Sequence, residues 1–408
     1  MKASDVELIR RLKRENSQYR KENRQYRKEN RYYRKENRYY RKENERHEKR
    51  IAELDGRLMQ ERKLWSSPES GDRFSDTREA HFVHKREMLD DIIANRHKLH
   101  PVSSLDCDQF EFVCARFIEQ SKKHPGRPLF SEDDSDDPGN RCKLPYRHVV
   151  LMALMRKRGN TIQEQLAVFF GIDQSTVCRY LRFADLIFAQ ILPTASKVSD
   201  RIQKTRTIAE LKKLVPNLAT IVDGTHMDIQ RPSKKEPRKE AYSGKKKSFT
   251  LNTQIMTNCD GVIIHRSRPA PGSTHDLRMV REDPPDLGMI TRMMKSKRRR
   301  PDGECVTLYA DLGYVGIKKD YPGAALRQPH KKKKGGSLTE EQRAANKRIN
   351  SRRVTVEHSI GRIKQYRRMA GTYEGTAAEF DREMDVVTGL VNLRMLWDRR
   401  RRKLRLGF

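Results

Sequence analysis

Residues 218–224, Leu-Ala-Thr-Ile-Val-Asp-Gly, and residues 306–316, Val-Thr-Leu-Tyr-Ala-Asp-Leu-Gly-Tyr-Val-Gly, decide how the C-terminal half of this chain is read. Each is a short apolar run that ends on an aspartate and turns at a glycine, the pattern of a buried strand stopped abruptly. Asp223 and Asp311 therefore sit at strand tips. A carboxylate there is costly to desolvate unless a cation or a donor meets it. A third acid, Glu357, lies within the helical stretch Arg353-Val-Thr-Val-Glu-His-Ser-Ile-Gly-Arg-Ile-Lys364. Convergence of these three would offer oxygen ligands to a hard divalent cation of the magnesium type. Read singly, each has a plainer role: Asp223 as a turn residue, Asp311 as a strand terminator, Glu357 as a helix-surface ion pair.

Outward from these runs the pattern alternates between strands and helices. Phe249–Thr257 and Val262–Arg266 read as strands joined by the hairpin signal Asn-Cys-Asp-Gly (258–261). A helix is expected from Thr274 to Arg281, a strand over Val306–Ala310 and a short one over Ala324–Gln328. Thr339-Glu-Glu-Gln342 is a capping box that opens the helix carrying Glu357. The order is antiparallel strands, a helix, a parallel strand and later helices, which makes an α/β domain over 215–395.

Upstream, Thr161-Ile-Gln-Glu164 reads as a capping box, and Ala167, Gly171 and Val177 have the spacing of a helix-turn-helix over 141–192. Asp173 is expected to cap the second helix, whose first turns would present Gln174, Ser175, Thr176 and Arg179 to base edges and phosphates in a major groove. An ordinary helical hairpin would have the same spacing. The basic triplet Lys245, Lys246 and Lys247, with Arg362 and Lys364, reads as phosphate contacts or as a solvated face. His275 and Asp276 follow Pro-Gly-Ser-Thr; they suit a role behind the carboxylates, orienting a ligand or water, and equally a packed turn residue and a helix N-terminal charge.

The ordered series Asp-Gly-Thr (223–225), Ser-Gly-Lys-Lys-Lys (243–247), Pro-Gly-Ser-Thr-His-Asp (271–276), Ala-Asp-Leu-Gly-Tyr-Val-Gly (310–316) and Val-Glu-His-Ser-Ile-Gly-Arg-Ile-Lys (356–364) resembles the DDE transposases of the insertion-sequence and PIF/Harbinger type. The likeness spans roughly residues 144–395. One departure is Leu312, where many relatives carry a polar or basic residue. The resemblance implies an RNase H-like catalytic core in which Asp223, Asp311 and Glu357 are the catalytic, metal-binding triad. It implies two Mg²⁺ (or Mn²⁺) ions per active site, double-stranded DNA as element end and target, and in-line transesterification that cuts and joins strands. A domesticated DNA-binding protein and a metal-dependent nuclease without strand transfer are the alternatives.

Bulk composition agrees with a polyanionic partner. Lys and Arg number 88 against 55 Asp and Glu, a formal charge of +33, and each phosphate neutralised would release condensed counterions. Apolar residues make up only 35%, so much of the chain must be solvated. No run is long enough to span a bilayer, and the charged N-terminus is not a secretory signal. Cytoplasmic, nucleoid-associated residence is expected, or nuclear residence in a eukaryotic host. The six cysteines include no C-x-x-C pair, so neither a zinc knuckle nor a disulfide framework is indicated.

The N-terminus carries a seven-residue repeat, Glu-Asn-x-x-Tyr-Arg-Lys, over residues 15–44. With Asn at heptad position a and Tyr at d, Glu at g faces Arg at e of a parallel partner, as in Glu15–Arg20 and Glu22–Arg27. A homodimeric coiled coil over 1–64 is expected; a solvated single helix and an arm that stacks on single-stranded nucleic acid are the other readings. Residues 65–140 read as linker and helical segment, and 396–408 as a basic tail.

Overall fold

The computed structural model describes residues 85–124, 144–298, 300–332 and 336–401. The heptad segment, the acidic stretch 131–140 and the end of the basic tail lie outside them. Residues 84–408 group as one unit.

The N-terminal part is all helix: α1 (85–94), α2 (Arg96–Ser103), α3 (Cys107–Ser121), α4 (Tyr146–Gly159), α5 (Gln163–Phe170), α6 (Gln174–Ile191), α7 (Ala195–Gln203) and α8 (Ile208–Leu214). The helix-turn-helix is α5 and α6. Gly171 adopts φ +68° between them, a left-handed turn that a side chain would strain. Val177 is fully buried beneath the turn. Two local expectations are corrected. The helix begins at Gln163 with Ile162 as N-cap and no side-chain cap, because the Thr161 hydroxyl donates back to the Met155 carbonyl at 3.5 Å. Asp173 does occupy the N-cap of α6, but its carboxylate makes no capping hydrogen bond. Asp106, by contrast, closes a full capping box with Gln109 at the start of α3.

The C-terminal part is a mixed sheet flanked by helices. Its elements are β1 (Ala219–Asp228), α9 (Lys235–Ala241), β2 (Tyr242–Ser243), β3 (Ser248–Asn258), β4 (Ile263–Arg266), β5 (Ala270–Pro271), α10 (Asp276–Glu282), α11 (Met289–Lys295), β6 (Thr307–Tyr309), α12 (Ile317–Asp320), β7 (Ala325–Arg327), α13 (Glu340–Lys364) and α14 (Ala377–Arg401). Strand order is β2-β3-β1-β6-β7, with β4 and β5 also paired to β3. β1 runs antiparallel to β3 and parallel to β6. From Phe249 on, the expected strands and helices are present to within two residues at their ends. β1, however, does not stop at Asp223 and turn at Gly224 but continues through both to Asp228, because β3 pairs with it throughout. The capping box of Thr339 and Gln342 opens α13 as expected.

α13 packs on β1 and β3, and α14 packs on α6, α7 and α13. A single apolar cluster runs from Leu89 and Phe117 through Val177 and Phe188 to Ile221, Ile363 and Leu390. The helical part and the sheet are therefore welded by a shared core. A second cluster, built on Val222, Ile264, Leu308 and Tyr314, fills the other face of the sheet.

Candidate active site

The parallel pairing of β1 with β6 matches Ala219 to Thr307 and Ile221 to Tyr309. Asp223 and Asp311, each two residues beyond the last β1–β6 pair, thus lie side by side. Asp311 is just past the end of β6, whereas Asp223 is inside β1, where it pairs with Ile255 of β3 and the strand runs on to Asp228 instead of stopping at Asp223 as the sequence suggests. Asp223 Oδ1 accepts from the adjacent Gly224 amide within β1 at 2.9 Å, and Asp311 Oδ1 accepts from the Gly313 amide at 2.8 Å, bracing the turn after β6. Gln328 donates to the Asp311 carbonyl at 2.7 Å and ties that turn to the end of β7. Glu357 is on α13, exposed, on the helix that covers β1.

Electrostatics show that these acids face one another. The Asp223 carboxyl is pushed up to about 6, first by burial; Arg353 pulls it down, and Asp311 and Glu357 push it up further. Arg353 Nη2 stands 3.6 Å from Asp223 Oδ2, with both side chains largely covered. Sequence reasoning passes over Arg353 because an arginine on a polar helix resembles a solvated face; its position one turn before Glu357 is the available signal. Tyr314 is fully buried behind the carboxylates. Its hydroxyl accepts from Gln254 at 3.2 Å, and its pKa is raised well above the usual value by burial and by Asp276, Asp223 and Asp311.

Could this site hold divalent cations? The donors are all carboxylate oxygens, the hard ligands such ions take, and several negative groups are crowded against a single covering arginine. The residues fit. Among the described residues no three His, Cys, Asp or Glu side chains already close into a metal-sized cage, so the acids share a locality and are not locked into a coordination shell.

The other predicted residues fall into two places. Gln174, Ser175 and Arg179 are exposed on the first turns of α6, and Thr176 is half-buried. Arg179 donates to Thr176 Oγ1 at 2.9 Å, and Gln174 to Gln163 Oε1 at 2.6 Å. They stand apart from the carboxylates on a helix packed against α3, α4, α5 and α14. Lys245, Lys246 and Lys247 are exposed in the β2–β3 turn, which is tightened by Lys247 at φ +56°. Lys246 and Lys364 lie close enough for Lys246 to help lower the Lys364 pKa, after partial desolvation. His226 is lowered by burial, held up by Asp276, and lowered again by Lys245, Lys246 and Lys364. The basic groups thus border the acidic pocket on its His226 side. Arg362 is half-exposed on α13. His275 N-caps α10, its Nδ1 accepting from the Leu277 amide at 3.4 Å, and Asp276 is the first residue of that helix.

Two family models match this architecture: "DDE superfamily endonuclease" over residues 222–392 and "Helix-turn-helix of DDE superfamily endonuclease" over residues 142–194. The chain thus carries a DDE superfamily endonuclease domain and the helix-turn-helix that goes with it. The catalytic-domain match begins one residue before Asp223 and takes in Asp311 and Glu357, while the second match frames α5 and α6. The chain is also 28% identical over 262 residues to a protein of Microchaete diplosiphon named "Probable transposase for insertion sequence element IS702", covering 64% of this chain and 85% of that protein. No solved structure matches. Among the described residues no helix is long and apolar enough to cross a membrane.

The raised Asp223 carboxyl has a consequence for stability. A carboxyl whose pKa is higher in the folded state than in the unfolded chain adds stability below its unfolded value and loses it as pH rises through the folded value. The window here runs from about pH 4 to about pH 6, and the loss is at most roughly 3 kcal/mol. In EDTA, Asp223→Asn should therefore gain stability over the parent chain as pH rises from 4 to 7. Urea midpoints measured across that range check this; a parallel pH dependence in both chains would count against it.

Proposed function

We propose that this endonuclease is a transposase that uses an RNase H-like core, with Asp223, Asp311 and Glu357 as its triad, to cut DNA at element ends and join it to a target. The observation that carries the reading is the parallel β1–β6 pairing, which brings Asp223, within β1, beside Asp311, just past β6, on strands covered by the helix bearing Glu357. Two Mg²⁺ or Mn²⁺ ions, when bound, would activate the attacking oxygen and stabilise the departing one in an in-line displacement at phosphorus. Asp223, on the central strand, Asp311 and Glu357 would together hold the ions. The amides of Gly224 and Gly313 hold the two aspartates in place. Lys245, Lys246, Lys247, Arg362 and Lys364 would neutralise backbone phosphates entering from the basic border, and the formal charge of +33 supports strong sequence-independent attraction to duplex DNA.

End recognition is assigned to α6. Arg179→Ala or Gln174→Ala should cost about 1–3 kcal/mol at particular base pairs, whereas replacing Lys245–Lys247 should weaken all DNA alike and flatten the salt dependence. Competition binding with single-base variants of an end sequence distinguishes the two; selectivity that survives loss of both Gln174 and Arg179 would move sequence reading elsewhere. Joining requires two ends to be held together, so a homodimer with one active site per end is part of the proposal, with the heptad segment as its pairing device. Such a protein works where DNA is, in the nucleoid or in a nucleus.

The deciding experiment is incubation of the full chain with duplex DNA bearing the inverted repeats that flank its reading frame, with Mg²⁺ or Mn²⁺. Cleavage at the repeat boundary followed by joined products is expected. Cleavage without joining would reduce the protein to a nuclease, and specific binding without cleavage to a DNA-binding regulator.

A further inference from the structure

Asp276 is an acid with no structural employment. Its carboxylate accepts no hydrogen bond and forms no ion pair among the described residues, although its own backbone carbonyl is held by Gln254 Nε2 at 2.7 Å. The N-cap of α10 is taken by His275. Two glycines distant in sequence nevertheless clear room for this side chain. A Cβ on Gly224 would meet Asp276 Oδ1 at 2.8 Å, and one on Gly313 would meet Asp276 Oδ2 at 2.6 Å and Asp311 Oδ1 at 3.0 Å. Neither glycine has a positive φ, so the reason for glycine at both is space and not backbone conformation. The Asp276 carboxylate is thereby seated between Gly224 of β1 and Gly313 of the turn after β6, with one oxygen against each.

A second, independent feature points into the same place. Asn252 is 1% exposed. Its amide nitrogen donates to the Thr274 carbonyl at 3.4 Å, but its Oδ1 is buried without a partner and lies 3.7 Å from the point where a Gly224 Cβ would stand. A buried oxygen acceptor left unsatisfied beside an unpaired carboxylate is costly. A cation, or water held by one, would satisfy both. Resting on the triad reading above, we propose that Asp276 is a fourth carboxylate ligand of the cation site, with Asn252 Oδ1 orienting the ion or its water. Substitution by asparagine removes the charge while keeping the shape. Gly224→Ala keeps every carboxylate but displaces that of Asp276.

The test is Mn²⁺ binding to the full chain, followed by the electron paramagnetic resonance signal of free Mn²⁺, without DNA and without reference to activity. Asp276→Asn should weaken at least one bound Mn²⁺ by about tenfold or more, given that even supporting partners of metal ligands have effects of that size. Gly224→Ala should reproduce the loss, and the double variant should add little to either. Thermal unfolding by circular dichroism establishes that each variant is folded. Unchanged Mn²⁺ affinity and stoichiometry in folded Asp276→Asn, alongside a loss in Asp223→Asn, would overturn this inference and leave the triad standing. A parent chain that binds Mn²⁺ no better than its Asp223→Asn variant would overturn both.

Discussion

Asp223→Asn, Asp311→Asn and Glu357→Gln should each reduce DNA cleavage by about 10²–10³-fold or more, the range seen when one preorganised transition-state contact is removed, while leaving end binding nearly intact. The separation of effects follows from the architecture. The residues assigned to sequence reading lie on α6, and the carboxylates lie at the end of the sheet, on β1, after β6 and on α13. Asp223→Asn should be the most severe, because Asp223 alone is buried against both of the others and against Arg353. Its amide would keep the Gly224 hydrogen bond through its oxygen, so the local strand should survive. Gel-shift titration and a cleavage time course on one labelled end, run on the same preparations, check the prediction. A variant that cleaves at the parent rate removes its residue from the site; one that loses binding and cleavage together is acting through the fold.

How much of this site is legible in the sequence depends on which interactions are local. The apolar runs leading to Asp223 and Asp311 announce two strands from neighbouring residues alone, but only Asp311 ends its strand; β1 continues through Asp223 and Gly224 to Asp228 because β3 pairs with it along that length. That the two acids are adjacent is not local: β1 and β6 pair in parallel across a crossover that includes β2 to β5, α10 and α11. In the sequence, only the family resemblance brings them together. Arg353 is hard to read there because its partner Asp223 is on another element, and its spacing one turn before Glu357 is the one local hint that it points inward. Asp276 reads as lying behind the carboxylates because the glycines that make room for it, Gly224 and Gly313, are far away in the chain. The Thr161 cap fails for a local reason. Its hydroxyl has a competing acceptor in the Met155 carbonyl of the preceding helix, and side-chain-to-backbone bonds of this kind compete with capping.

The second large effect concerns the attachment of α6, the helix to which DNA reading is assigned above, to the rest of the protein. Lys157 sits in the run Met-Arg-Lys-Arg-Gly (155–159), which reads as basic surface, yet it is 2% exposed. Its ammonium is 2.7 Å from Asp185 Oδ1, joining α4 to α6. Burial raises the Asp185 pKa and Lys157 opposes that rise, so each charge is tolerated because of the other. Asp185→Ala should therefore cost about 3–5 kcal/mol, the penalty of leaving a buried charge without its partner. Lys157→Met combined with Asp185→Leu should recover most of it, since a well-packed apolar pair of similar volume is often neutral. Next to this pair, Arg368 bonds Glu383 on α14 at 2.8 Å, reaches Asn160 at the end of α4 at 3.4 Å and lies over the Tyr373 ring at 4.4 Å. The recognition helix is thus moored through α4 to elements that follow the Glu357 helix. If that mooring sets how a bound end is presented to the carboxylates, Asp185→Ala held below its unfolding temperature should still bind end DNA but cut it at displaced or mixed positions. Urea unfolding gives the stability cost, and mapping of cleavage positions on a sequencing gel gives the presentation. A loss under about 1 kcal/mol with unaltered cut sites would mean that Lys157 finds other compensation and that the shared apolar core alone aligns the two parts.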